Sequence, residues 1–471
     1  MKSNTIKIII FLTCMYFCST VFISCEDHKS AVPDNNYVNT WILDNMQEYY
    51  FWNSYIPSNP DKGQYPDKFF YSLLYKYNQL DGDRFSWIQE NYVDLLENLS
   101  GVSSGDLGFE YTFIGYDDDK VFGEVLYVKP GTNIENQGVK RGNAFCKING
   151  TELDMNNYLS LLQKESMTIT FNDPLLIGNT ISFNNERDVT VTKARYAENP
   201  VFMDSIYEVN GKKIGYVIYN FFASDKGDNS KTYDKHLNSI FGDFKSAGVD
   251  NVIVDLRYNS GGSVVSATNL ASMLASPLNT NDVFYMLKFN NNTAEENTSV
   301  NFVSKIEDTE ISINNIGNNL QKLCFITSQW SASASEMVII GLKPFMNDKI
   351  IIVGDATVGK SYASVSFYEK NNPRNKWGMQ PLVAKYTNGN GELVPATGFI
   401  PDYLLKETFV IPKKQLGDTD EELLKAAINA ISGLPVSQNL QRQSAPGVSI
   451  IGTSVDKKAY SNQSILEKIK K

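Results

Sequence analysis

Three short apolar runs limit what this chain can fold into: "NVIVDL" (residues 251–256), "LCFITS" (323–328) and "KIIIVG" (349–354). Each is six residues long, rich in apolar residues, and carries almost no polar alternation. Such runs read as strands buried on both faces, the habit of parallel sheets covered by helices. Segments of helical spacing lie around them, as in "YDKHLNSIFGDFKSAG", "GGSVVSATNLASMLA" and "SASEMVIIGLKPF". Residues 199–431 therefore read as an α/β core. Each of the three runs leads into a turn of small residues: "DLRYNSGG", "SQWSASASE" and "GDATVGKS". In an α/β sheet the working residues gather beyond the carboxyl ends of the strands, so the chemistry is expected in these turns.

The third turn fits the phosphate-loop pattern G-x-x-x-x-G-K-[ST] from Gly354 to Ser361. That pattern requires a helix after it, whose amides and dipole hold the phosphate. Here "SYASVSFYEK" alternates with period two and reads as a strand. Lys360 is thus expected in a turn between strands, available for other work.

A serine nucleophile needs a base. The chain has only two histidines, His28 near the start and His236 on the outer face of an amphipathic helix. Counting leaves little room for a Ser-His-Asp triad, and a Ser-Lys pair is the remaining solution. "SASASE" offers Ser331, Ser333 and Ser335 at a helix start, where dipole and free amides favour developing negative charge. Read without function, the same stretch is an N-cap with Glu336 in a capping box.

Before this core the texture changes twice. Residues 37–99 carry aromatic and apolar side chains at helical spacing, as in "NTWILDNMQEYYFW", and "DGDRFSWI" closes them with a turn. Residues 100–195 consist of short strands with Gly-rich turns. This second segment resembles a PDZ domain through the Leu107-Gly108-Phe109 loop, Pro130-Gly131, Gly138, Gly142 and Ile148-Asn149-Gly150, with Asn143 where an Asp is usual. The resemblance implies that the loop amides hold a peptide's terminal carboxylate while the peptide adds a strand to the sheet edge. Residues 432–471 are polar and unpatterned and read as a loosely ordered tail.

The order of these parts, with "SASASE", "VGDATVGKS", "DLRYNSGG" and "ATGFIPD" (396–402), resembles the C-terminal processing, or tail-specific, serine peptidases. The resemblance implies a ClpP/crotonase-like fold: a mixed sheet with flanking helices, beside a PDZ-like domain and an N-terminal helical segment. It implies a serine endopeptidase with Ser333 as nucleophile, Lys360 as general base, and an oxyanion hole from the amides of Ala334 and of Gly261 or Gly262. It implies protein or peptide substrates with free C-termini, and no cofactor or metal. The sequence departs from the family in two places. Ser364 stands where a Gln often orients the lysine, and the Ser–Lys spacing of 27 is long, which a "GLKPFMND" loop would absorb. The alternative is an inactive relative that only captures protein C-termini. Acyl chemistry on a small ligand is a further rival, disfavoured by a peptide-capture domain.

The start of the chain bears on where it works. Lys2 and Lys7 precede an apolar stretch, Ile8–Ile23, followed by "SCED". This reads as a secretory signal over residues 1–24. "FISC" resembles a lipoprotein cleavage box, which implies lipidation of Cys25 and a tether over 25–36; an uncleaved anchor is the alternative. Both readings place the protein outside the cytoplasm, on a bacterial membrane, with periplasmic and surface faces both open. Cys14 and Cys18 leave with the signal, so Cys146 and Cys324 are too few for a disulfide scaffold. Neither Cys-x-x-Cys nor His-Glu-x-x-His occurs, and a net charge of −10 argues against nucleic acid. Metabolic fatty-acid labelling checks the anchor: Cys25→Ala should lose the label and leave the membrane fraction, whereas a labelled, membrane-bound variant contradicts the reading.

Overall fold

The computed structural model describes residues 34–177, 180–407, 410–436 and 448–456. Cys25 and the signal segment lie outside the described residues.

The three apolar runs form adjacent strands, Asn251–Asp255, Lys322–Thr327 and Ile350–Gly354, at the centre of a six-stranded sheet. Lys212–Tyr219 and Tyr403–Leu404 flank them, all parallel, and Val201–Val209 closes one edge antiparallel. Side chains alternate across this sheet. Val252, Val254, Leu323 and Phe325 face the larger core, with helices Thr232–Ser246, Val264–Leu274 and Ala334–Met346. Ile253, Cys324, Ile326 and Val353 face helix Glu422–Ser432 through Leu423, Leu424, Ala427 and Ile428. Burial on both faces explains why these strands lack polar alternation. Because the strands are parallel and in register, the three turns leave at one edge of the sheet. The "GLKPFMND" stretch is not a loop: the helix continues through it to Met346, since Leu342 and Met346 still face the core.

A four-stranded antiparallel sheet packs against the far side of the helices, in the order Thr298–Asn301, Val283–Phe289, Leu382–Asn388, Tyr362–Ser364. The strand read after Lys360 is therefore present as Tyr362–Ser364. The N-terminal segment contains helices Asn35–Tyr49, Pro66–Ser72 and Tyr92–Leu99, and also a strand, Trp87–Gln89. That strand pairs with Gly378–Gln380, tying the start of the described chain to the core. Residues 102–197 are β-rich, with Phe109–Tyr116 paired to Lys120–Val128 and a long hairpin over 166–192.

The tail is not uniformly loose. Ser449–Thr453 forms a strand along the free edge of Phe109–Tyr116. Its "SIIGT" is a short β-branched run whose pairing partner lies more than 300 residues earlier, beyond the reach of a local pattern.

A buried ionic cluster fastens these parts together. Arg257 is fully buried; its guanidinium donates to Asp255 Oδ2 at 2.7 Å and to Glu421 Oε1 at 2.7 Å. Arg141, from the β-rich segment, donates to Tyr258 Oη at 2.9 Å and pairs with Glu407. Burial opposes ionisation of Glu407, but the charges of Arg141, Lys413 and Arg257 outweigh it and hold its carboxyl below the usual range. Removing the cation from such a cluster leaves its buried carboxylates short of compensating charge. Arg257→Met should cost about 3–5 kcal/mol of folding stability, read as a drop in the urea midpoint. Arg257→Lys should not restore it, because an ammonium cannot match the planar fork.

Candidate active site

The "SQWSASASE" turn crosses from strand Lys322–Thr327 to helix Ala334–Met346 with Ser333 as the N-cap. Three of its four serines have structural duties. Ser328 Oγ donates to Arg257 O. Ser331 Oγ donates to Leu256 O at 2.7 Å, and Ser335 Oγ donates to Asn259 O at 3.0 Å. Ser333 is buried and has φ 61°, ψ −112°, a conformation that costs a non-glycine residue roughly 1–3 kcal/mol. Three contacts impose it. Ser333 N–H donates to Glu336 Oε2 at 2.8 Å, Met337 N–H donates to Ser333 O at 2.7 Å, and Tyr386 Oη donates to the same carbonyl at 3.1 Å.

Glu336 does more than cap the helix. Its Oε2 also accepts the Lys360 N–H at 2.9 Å, and its Oε1 accepts the Gly359 N–H at 2.7 Å and the Thr357 hydroxyl at 2.5 Å. One fully buried carboxylate thus receives four donors from two turns. Burial pushes its pKa up, against the pull of Thr357 and the backbone amides. The Tyr386 hydroxyl bridges the same two turns, reaching Lys360 O as well as Ser333 O. Gly359, at φ 85°, has no room for a side chain, since a Cβ there would lie 2.3 Å from Ala396 O. The "ATGFIPD" segment braces this turn: Phe399 N–H donates to Thr357 Oγ1 at 2.8 Å, and Ile352 N–H donates to Asp402 Oδ2 at 2.8 Å.

Lys360 is buried, and burial lowers its pKa well below the ordinary lysine value, opposed by the charges of Asp83 and Glu336. Part of its wall comes from the N-terminal segment. The Phe85 ring centroid lies 5.3 Å from Lys360 Nζ. Arg84 donates to Gly359 O at 3.3 Å and Ala396 O at 3.2 Å. Asp83 holds its own turn by accepting from Phe85 N and Ser86 N at 2.9 and 2.8 Å. Sequence reasoning treated "DGDRFSWI" as a closing turn; its one local signal was two Asp and an Arg beside aromatic residues.

The glycine turn needs a correction. Gly261 N–H donates to Asn259 Oδ1 at 2.8 Å, so it is not available to an oxyanion. Gly262 N–H and Ala334 N–H have no acceptor among the described residues. Asn259 links the turns: its Nδ2 donates to Tyr219 O at 2.7 Å, and its carbonyl accepts from Ala332 N and Ser335 Oγ. Gly262 is held at φ 135°, where a Cβ would come within 2.0 Å of Phe222 O. A groove of about 960 Å3 opens at Ser263, the next residue, and is lined by Phe222, Leu96, Arg195 and Ser366 among others.

Elsewhere, His236 is exposed on helix Thr232–Ser246, and Ser364 is buried in the strand after Lys360. In the Leu107-Gly108-Phe109 loop, Gly108 N–H donates to Asp106 Oδ1 at 2.7 Å, so this amide is not presented to a peptide carboxylate.

Residues 213–405 match the model of peptidase family S41, and residues 37–87 match the peptidase S41 N-terminal domain. Together the two matches span just over half the chain. The chain belongs to peptidase family S41. The S41 match contains all three turns, and the S41 N-terminal match contains Asp83, Arg84 and Phe85. A carboxyl-terminal-processing protease of Picosynechococcus is 25% identical over 350 residues, covering 71% of this chain and 73% of that protein. A probable CtpA-like serine protease of Staphylococcus aureus is 21% identical over 362 residues; the match covers 73% of this chain but 65% of the relative. The crystal structure of a putative S41 protease from Bacteroides fragilis has a TM-score of 0.71 and 28% identity, over 83% of this chain and 97% of that one. The chain is thus a member of a serine peptidase family with that family's α/β fold.

Glu336→Gln keeps the shape of the side chain but turns an acceptor into a donor facing N–H groups. Each bond to a charged acceptor contributes about 1.5–3 kcal/mol. In this S41 chain the substitution should lower kcat/KM on casein by about a hundredfold or more and reduce Tm, whereas unchanged kinetics would mean that the carboxylate does not hold the two turns.

Proposed function

We propose that this protein is a serine endopeptidase working through a Ser333–Lys360 dyad. The observation that carries the reading is the Glu336 carboxylate, which takes the backbone N–H of both Ser333 and Lys360 on a single oxygen while Lys360 is held in a dry pocket. Lys360 Nζ, neutral, takes the Ser333 hydroxyl proton as Oγ bonds to the scissile carbonyl carbon. The carbonyl electrons move to oxygen, which the Gly262 and Ala334 amides receive. Each such donor contributes about 3–4 kcal/mol to the barrier reduction. As the tetrahedral species collapses, the C–N bond breaks and the lysine proton passes to the leaving amine. Water then repeats the sequence on the acyl-enzyme with the same lysine as base.

The groove that opens at Ser263 would take the polypeptide on either side of the scissile bond. The β-rich segment over 102–197 reads as a PDZ-like module that captures a substrate segment by strand addition. The protein would act outside the cytoplasm, held to the membrane through Cys25.

A lysine with a depressed pKa is neutral at lower pH than a free one, so activity should rise with pH along a single limb set by Lys360. Below the native-state pKa the buried charge carries its whole penalty; the penalty shrinks as pH rises and vanishes above the unfolded value of about 10.4. Lys360→Met should therefore be more stable than wild type at neutral and acid pH, with the gap closing in alkali. Ser333→Ala and Lys360→Met should not cut casein. Lys360→Arg should be equally inactive, because a guanidinium stays protonated in proteins. His236→Ala should keep full activity. An active Lys360→Arg removes the lysine from the mechanism, and a wild type that cuts nothing leaves a protein that only binds peptides.

A further inference from the structure

Strand Phe109–Tyr116 has two edges. Lys120–Val128 occupies one, and Ser449–Thr453 occupies the other, antiparallel, with Ser449 opposite Gly115 and Thr453 opposite Thr112. The tail therefore runs toward the Leu107-Gly108-Phe109 loop. Its Ile451 packs on the same apolar cluster as Leu107 and as Tyr158 and Leu161 of the short helix Tyr158–Leu161. Ser454 continues the pairing: its N–H donates to Tyr111 O at 2.9 Å, and its hydroxyl accepts the Tyr111 N–H at 2.8 Å. The same hydroxyl bonds to Glu110 Oε2 at 2.5 Å. Val455 is fully buried in a cluster with Leu126, Tyr127 and Tyr258, and Asp456 accepts the Trp330 indole N–H at 2.9 Å.

This is how a bound peptide adds to a sheet edge, with main-chain bonds along the strand and one side chain in a pocket. We propose that residues 449–456 are an internal ligand of this groove, and that a peptide in trans binds only after the tail has left it. The proposal rests on the reading of the β-rich segment as a peptide-capture module. It also states what the groove accepts: an extended segment with an apolar β-branched residue at the Ile451 position and a Ser or Thr three residues on. A free C-terminus is not required, because the chain continues past Asp456 and the Gly108 amide is already held by Asp106.

The probe is a fluorescein-labelled peptide of sequence VSIIGTSVD with an amidated C-terminus, titrated by anisotropy against the full chain. All proteins carry Ser333→Ala, so that nothing is cut and the result does not depend on hydrolysis. Two full-chain variants open the groove: Ile451→Asp, at a half-exposed position, and Ser454→Pro, which removes the Ser454 bonds to Tyr111. Apparent affinity scales with the fraction of open grooves. Both variants should bind the peptide about tenfold or more tightly than the parent, and the Tyr111 amide should exchange faster with deuterium in both. Equal binding by parent and variants overturns self-occupancy. Absence of binding to variants that melt with the parent overturns the groove itself. Casein hydrolysis by the wild type tests the peptidase reading separately, and its failure would leave the titration unaffected.

Discussion

The site depends on a carboxylate that takes no part in bond making. Glu336 is buried at the start of a helix and accepts four donors, one from the serine turn and three from the lysine turn. Inside a protein, an ionised group with every lone pair engaged is a strong clamp, and one with a partner missing is a heavy cost. The geometry of each turn therefore becomes a condition for the other. Ser333 keeps its strained backbone because its N–H and carbonyl both have rigid partners. Lys360 keeps its place because its N–H ends on the same oxygen. Asn259 and Tyr386 extend the clamp, one to the glycine turn and the other to the second sheet.

Electrostatics follow from the same burial. Lys360 is buried, and this lowers its pKa. The charges of Asp83 and Glu336 oppose the effect. Glu336 directs both oxygens to backbone amides and a hydroxyl, and Asp83 directs its oxygens to Phe85 and Ser86. Both carboxylates thus hold the frame around the lysine while their charges act on it.

The strands and helices of the core were legible because each is a local pattern. A run of Ile and Val between small-residue turns identifies a buried strand without reference to its neighbours. Ser333 and Lys360 could be named by resemblance and by the shortage of histidine. What remained hidden depends on partners distant in sequence. Glu336 looks like an ordinary capping residue, and nothing local shows that Thr357, Gly359 and Lys360 converge on it. That the Gly261 amide is engaged turns on a single bond it donates to the Asn259 side chain. The Asp106 bond that takes the Gly108 amide changes the meaning of a loop whose sequence looks like a carboxylate cradle. The pairing of 449–453 with 109–116 joins opposite ends of the chain and leaves no periodicity in either.

The same wide separation affects the order in which the enzyme comes into being. Phe85 and Arg84 leave the ribosome early, the serine helix much later, and the lysine turn with its "ATGFIPD" brace near residue 400. No contiguous stretch of nascent chain contains both the walls and the contents of the lysine pocket until more than four-fifths of the protein has been made. A chain interrupted before that point has the serine helix without the brace that closes the lysine turn. The surroundings of Lys360 are thus completed only when most of the polypeptide already exists.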